Sequence, residues 1–130
     1  MKTKIRILHI DDNLHDRQIV KEVLQNESDE FEVIETDNRL EFELHLNKSD
    51  FDLILSEFNI PGFEGFNVLH TVKEKKPEIP VIIVTGKGSE EIATEAMKLG
   101  AADYVSKSDK YIQDLRPTIR KVIENKKVIL

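Results

Sequence analysis

Four places in this chain of 130 residues carry side chains fit for chemistry on a charged group. They are the adjacent acids Asp11 and Asp12, Glu57 with Asn59 two positions on, Thr85, and Lys107. Three carboxylates brought to one place repel each other unless a proton or a cation sits among them. Hard oxygen donors of this kind suit Mg²⁺, which takes one or two carboxylates, keeps several waters and bridges to phosphate oxygens. A lysine and a threonine opposite such a metal would contact the remaining phosphoryl oxygens, one as a point charge and one as a hydrogen-bond donor. Together they are equipment for phosphoryl transfer to a carboxylate.

Chemistry at that spacing requires elements that converge. Short apolar runs alternate with stretches of helical period along the chain. Ile5–Ile10 reads as a strand, and Asp11, Asp12 and Asn13 end it and can cap a helix carrying Ile19, Val20, Val23 and Leu24. Phe31–Thr36 alternates like a strand. Phe51–Ser56 is a nearly continuous apolar run closed by a loop with Pro61, Gly62 and Gly65. Gly65, Val68, Leu69 and Val72 share a helix face that Pro77 stops. Val81–Val84 is a β-branched and aliphatic run typical of a strand buried on both faces. Ser89 is a good N-cap, Glu90 and Glu91 suit a first helical turn, and Gly100 suits its stop. Ala101–Val105 reads as the last strand. Ile112, Leu115, Ile119, Val122 and Ile123 mark the last helix, with the regular part expected to begin near Pro117. Leu40, Phe42, Leu44 and Leu46 alternate with period two, as a strand would. The surrounding order of strands and helices nevertheless predicts a crossover helix there.

Five strand–helix units predict an α/β fold: a doubly wound (βα)5 parallel sheet with helices on both faces. Ligands then sit beyond the carboxyl ends of the strands. Asp11–Asp12, Glu57–Asn59, Thr85 and Lys107 follow or end strands one, three, four and five, so one edge should collect them all.

Composition narrows the classes. A length of 130 residues suits one domain, 1–130, with its core at about 4–126. No apolar run approaches the roughly 20 residues of a membrane span. The absence of cysteine excludes disulfides and thiolate metal sites and fits a cytoplasmic setting. A net charge of −6 argues against direct nucleic-acid binding, since an acidic chain does not accumulate on phosphate backbones. His9, His15, His45 and His70 lack metal-ligand spacing and are expected to pack or to face water.

Four segments carry a resemblance: IDDN after strand one, DLILSEFNIPGFEG through strand three and its loop, VIIVTGKG at strand four, and GAADYVSK at strand five. Over roughly residues 4 to 126 the chain resembles the chemotaxis-regulator-like receiver domains of two-component response regulators. The resemblance implies a flavodoxin-like strand order 2-1-3-4-5. It implies Asp11 and Asp12 as the acidic pair, with Asp12 the direct Mg²⁺ ligand, and Glu57 at the phosphoacceptor position among the metal's ligands. Asn59 would lend its backbone carbonyl to the metal. Thr85 would be the switch hydroxyl, Lys107 the phosphate-binding lysine, and Tyr104 an aromatic that turns inward on activation. A receiver catalyses at most its own phosphorylation and dephosphorylation. Implied partners are a histidine kinase or histidine phosphotransfer protein, and a downstream target or fused output domain. A homodimer through strand five and the last helix is also implied.

Two features depart from the family. Ser108 follows the lysine where proline is common. More consequentially, the pattern D-x-x-x-P-x-x-x-G is met by Glu57, Pro61 and Gly65, with glutamate where the family has aspartate. The extra methylene carries the carboxylate roughly 1.3–1.5 Å farther out. In-line transfer tolerates little error, and a ~1 Å misplacement can cost ~10²-fold. The longer arm also brings the carboxylate within reach of Lys107 or the Thr85 hydroxyl without phosphorylation. Three readings stand: a phosphate-independent or activated-like domain, a slow but phosphorylatable one, and an ordinary receiver carrying an engineered substitution. Among other classes, a flavodoxin-like electron carrier would need a Ser/Thr/Gly-rich loop where IDDN stands. An Asp-x-Asp phosphatase would need its acids two apart, not adjacent. A phosphate-independent scaffold is compatible with Glu57.

Overall fold

The computed structural model describes residues 4–26, 29–63, 66–86, 90–108 and 110–128. Gly65 and Ser89, expected to open two helices, lie outside them. Five parallel strands, β1 (Ile5–Ile10), β2 (Phe31–Thr36), β3 (Leu53–Glu57), β4 (Val81–Thr85) and β5 (Asp103–Ser106), form one sheet in the order β2-β1-β3-β4-β5. The helices are α1 (Leu14–Lys21), α2 (Arg39–Lys48), α3 (Asn67–Lys75), α4 (Glu90–Lys98) and α5 (Tyr111–Val128). A π-helical turn, Glu22–Asn26, extends α1. This is the doubly wound α/β architecture that alternating strand and helix patterns predict.

The sheet has helices on both faces, so its middle strands carry no polar side. Every residue of β3 and β4 is buried. On one face, Ile7, Leu55 and Val84 pack with Val20 and Leu24 of the first helical segment and with Leu115 and Ile119 of α5. On the other, Leu8, Ile54 and Ile83 pack with Phe42 of α2, Leu69 of α3 and Ala96 of α4. The strands β1 to β4 send alternate residues to the two cores, as the pleat requires.

The ambiguous segment is a helix, α2. Phe42 and Leu46, one turn apart, are buried, whereas Leu40 and Leu44 stand 68% and 46% exposed. The period-two pattern is thus two i,i+4 pairs, of which only one faces the sheet. Asn38 starts the helix by accepting the Glu41 N–H at 2.9 Å.

Three boundaries differ from expectation by more than a residue. The third strand is Leu53–Glu57 rather than Phe51–Ser56, since Phe51 and Asp52 precede the ladder and Glu57 pairs with Val84 within it. The last strand is Asp103–Ser106 rather than Ala101–Val105, because Ala101 and Ala102 are still leaving the Gly100 stop, whose φ is +100°. The last helix begins at Tyr111, six residues before Pro117, and continues through it. An interior proline costs a helix about 3 kcal/mol. Tyr111 and Leu115 before it, and Ile119 and Ile123 after it, are all buried on the same core, and that burial outweighs the penalty.

The β2 edge is partly protected, since Gln25 in the π-helical turn accepts the Val33 N–H at 2.9 Å. Among the described residues no helix is long and apolar enough to cross a membrane.

Candidate functional site

Strand register brings the candidate residues together. Ile10 pairs with Ser56, Glu57 with Val84, and Thr85 with Ser106, so four strands end within about a residue of each other. Backbone bonds hold the segments just past those ends. Asp11 N–H donates to the Thr36 carbonyl at 3.1 Å, Phe58 N–H to Val84 at 2.9 Å, and Lys107 N–H to Thr85 at 2.8 Å.

The centre of the edge is the Lys107 ammonium. Its Nζ lies 2.6 Å from Glu57 Oε2, 2.6 Å from Asp16 Oδ2 and 3.1 Å from Asp11 Oδ2. An ammonium has three N–H donors, and here three carboxylates surround it. Asp11 is 1% exposed and Glu57 7%. Asp11 Oδ1 also accepts the Asn13 N–H at 2.9 Å, and its carbonyl accepts from Arg17 Nη1 at 2.8 Å. The Asn59 backbone N–H lies near the Glu57 carboxylate and favours its charged form.

Burial dominates the electrostatics of the two inner acids. It pushes both Asp11 and Glu57 above the usual carboxylate range, against the pull of Lys107 and of the backbone N–H groups of Asn13 and Asn59. Burial works to lower Lys107, but its hydrogen bond to Asp16 and its close ion pair with Glu57, with the charge of Asp11, outweigh that and hold it above the usual lysine value. The lysine is therefore charged throughout the physiological range.

Of the residues singled out from the sequence, the structure joins Asp11, Glu57 and Lys107 directly. Thr85 is buried at the end of β4, bonded through its carbonyl to Lys107. Asp12 and Asn59 are exposed at the same edge. Tyr104 is 43% exposed, and its N–H donates to the Asp103 carboxylate. Asn13, rather than either acid, caps α1 by accepting the Asp16 N–H at 2.9 Å.

Asp16 was not among the sequence candidates. Its signal was positional: a helix that starts directly after β1 places its first turn over the edge the strands share. His9 of β1 is fully buried, with both ring nitrogens lacking a hydrogen-bond partner among the described residues. Burial, with the nearby charges of Lys107 and Arg17, pushes it down to about 3, so it is a neutral packing histidine. Tyr111 is likewise buried, its hydroxyl without a partner among the described residues, and burial raises it.

The donor chemistry fits Mg²⁺ in type, since Asp11, Asp12, Glu57 and the Asn59 carbonyl are all hard oxygens. Among the described residues no three His, Cys, Asp or Glu side chains are gathered as a ready-made metal cage. Mg²⁺ does not require one, because it takes one or two protein carboxylates and keeps water. Lys107 holds two of those carboxylates, so a cation must compete with it.

Residues 7–120 match the response regulator receiver domain family, and the chain belongs to that family. It is 35% identical over 107 residues to the transcriptional regulatory protein FixJ of Bradyrhizobium diazoefficiens, covering 82% of this chain and 51% of FixJ. It is 40% identical over 62 residues to the regulatory protein LuxO of Vibrio cholerae, covering 48% of this chain and 14% of LuxO. The chain thus spans a minor part to about half of these relatives. A solved receiver domain from Clostridium thermocellum superposes with a TM-score of 0.84 at 30% identity, covering 97% of this chain and 99% of that one.

Proposed function

We propose that this receiver domain works in two-component signalling from an Mg²⁺-binding acid pocket in which Glu57 pairs with Lys107 without being phosphorylated. The observation that carries this reading is the 2.6 Å contact between Glu57 Oε2 and Lys107 Nζ. The lysine that would receive a phosphoryl oxygen already holds the acceptor's own carboxylate. Asp11 occupies a further donor, and the Asn59 backbone N–H favours the charged form of Glu57. A glutamate so held is a poor nucleophile for in-line transfer, because its oxygen is both displaced by a methylene and engaged.

Asp12, Asp11, Glu57 and the Asn59 carbonyl are the groups that would hold the metal, which when bound supplies charge neutralisation for a phosphoryl group or for the acids themselves. Thr85 and Tyr104 form the switch pair that would carry a change in the pocket to the surface. Tyr104 stands exposed while Glu57 is paired, which favours a phosphate-independent domain over one held in the inward-aromatic, activated arrangement. Partners on this reading are a histidine kinase or histidine phosphotransfer protein and a downstream target or fused output domain, in the cytoplasm. The surface that includes β5 and α5 would serve docking or homodimerisation.

Intact mass after incubation with acetyl phosphate and Mg²⁺ tests the reading. The expected result is an unmodified chain, with one phosphoryl group added to the Glu57→Asp variant. Stoichiometric addition at Glu57 itself would overturn it.

A further inference from the structure

Acids in a first helical turn are ordinary, since the helix dipole favours them and most are solvated. Asp16 is different. Its carboxylate lies 2.6 Å from the ammonium of a residue 91 positions away and is only 25% exposed. Its backbone is fixed by the Asn13 cap, so the side chain projects from a defined turn. Lys107 is therefore held from two sides. Glu57 and Asp11 pull from the strand ends, and Asp16 pulls from α1 at a distance equal to that of Glu57.

An ammonium has three donors, and a charge shared among three carboxylates neutralises each only in part. We propose that Asp16 is a positioning residue that draws the Lys107 ammonium toward α1 and so limits how fully the lysine is committed to Glu57 and Asp11. The inference rests on the pocket reading above. It adds that the balance between lysine and an incoming cation is set from outside the strand ends. With Asp16 in place, the two inner acids keep part of their charge unmatched and stay receptive to a divalent cation. Asp16 also places a fixed negative charge beside the lysine, which opposes any anion arriving there. Without it, the lysine settles wholly on Glu57 and Asp11, and a cation meets both a better-paired site and one negative charge fewer.

The substitution Asp16→Asn removes the charge and keeps the size and the backbone cap. The first readout is the Lys107 ammonium resonance in the ¹⁵N-lysine-labelled, metal-free chain. Asp16→Asn should shift that resonance, and Asp16→Glu should return it to the parent position. The second readout is Mg²⁺ affinity from amide shifts, which should weaken by roughly threefold to tenfold in Asp16→Asn. A dispersed amide spectrum establishes that the variant is folded. An unchanged ammonium resonance, or Mg²⁺ affinity equal to that of the parent chain, would overturn the role of Asp16. Neither readout involves phosphorylation, so acetyl phosphate labelling of Glu57 would sink the functional reading while leaving this inference to be judged on the ammonium signal.

Discussion

Lys107→Met keeps an unbranched side chain one atom shorter and removes its charge, leaving three carboxylates facing one another. Two of them, Asp11 and Glu57, are 1% and 7% exposed, so water cannot reach in to compensate. Removing one partner of a buried ion pair costs about 3–5 kcal/mol. Lys107 and Asp16 are 21% and 25% exposed, which lets the outer part of the cluster relax, and the expected loss is about 2–4 kcal/mol at pH 7.5. The pH dependence gives a second check. Asp11 and Glu57 already sit above the usual carboxylate range with the lysine present, and without it they must rise further. A carboxylate raised in the folded state binds protons there that the unfolded chain does not, so its stability contribution grows as pH falls from the folded value toward the unfolded one. Acidification from pH 7.5 to 5 should therefore narrow the gap between variant and parent. Urea unfolding followed by circular dichroism at the two pH values measures both effects. A variant within about 0.5 kcal/mol of the parent at pH 7.5, or a gap that widens on acidification, would refute the account of the cluster.

Other perturbations have defined outcomes. His9, normally near 6.5, is pushed down to about 3, so the unfolded chain binds its proton first as pH falls through that window. At pH 5 this costs about 2 kcal/mol of stability, an acid loss that His9→Leu should remove from the urea midpoints. Phe42→Ala should cost about 3–5 kcal/mol in chemical unfolding while Leu40→Ala stays within about 0.5 kcal/mol, the contrast expected if α2 buries only one of its two apolar pairs. Pro117→Ala should stabilise α5 by about 1–3 kcal/mol, read as a higher urea midpoint, because the residue before it and those after are already helical.

The sequence made the sheet and the edge where the candidate residues gather legible because both rest on short-range chemistry. Runs such as Val81–Val84 are strands by composition, and polar residues directly after such runs must lie at the carboxyl edge. The helix α2 was ambiguous because i,i+4 pairs and period-two alternation coincide in Leu40, Phe42, Leu44 and Leu46. Only the sheet decides which pair is covered. Pro117 misled because its local cost is visible in sequence, whereas the burial of Ile119 and Ile123 that offsets it is tertiary. Asp16 was missed for the same reason. Nothing in its neighbourhood marks it as a partner of Lys107 until α1 is laid across the edge beside β5. The sequence left open whether His9 packs or faces water, and its burial without a hydrogen-bond partner among the described residues is a tertiary outcome.

The central claim is that the pocket is set by Glu57 and Lys107 rather than by phosphate. Hydrogen exchange of the β4 and β5 amides, Val81–Thr85 and Asp103–Ser106, before and after acetyl phosphate at constant Mg²⁺, tests it most directly. Unchanged protection is expected in the parent chain and altered protection in Glu57→Asp. Altered protection in the parent chain, of the size seen in the aspartate variant, would contradict it.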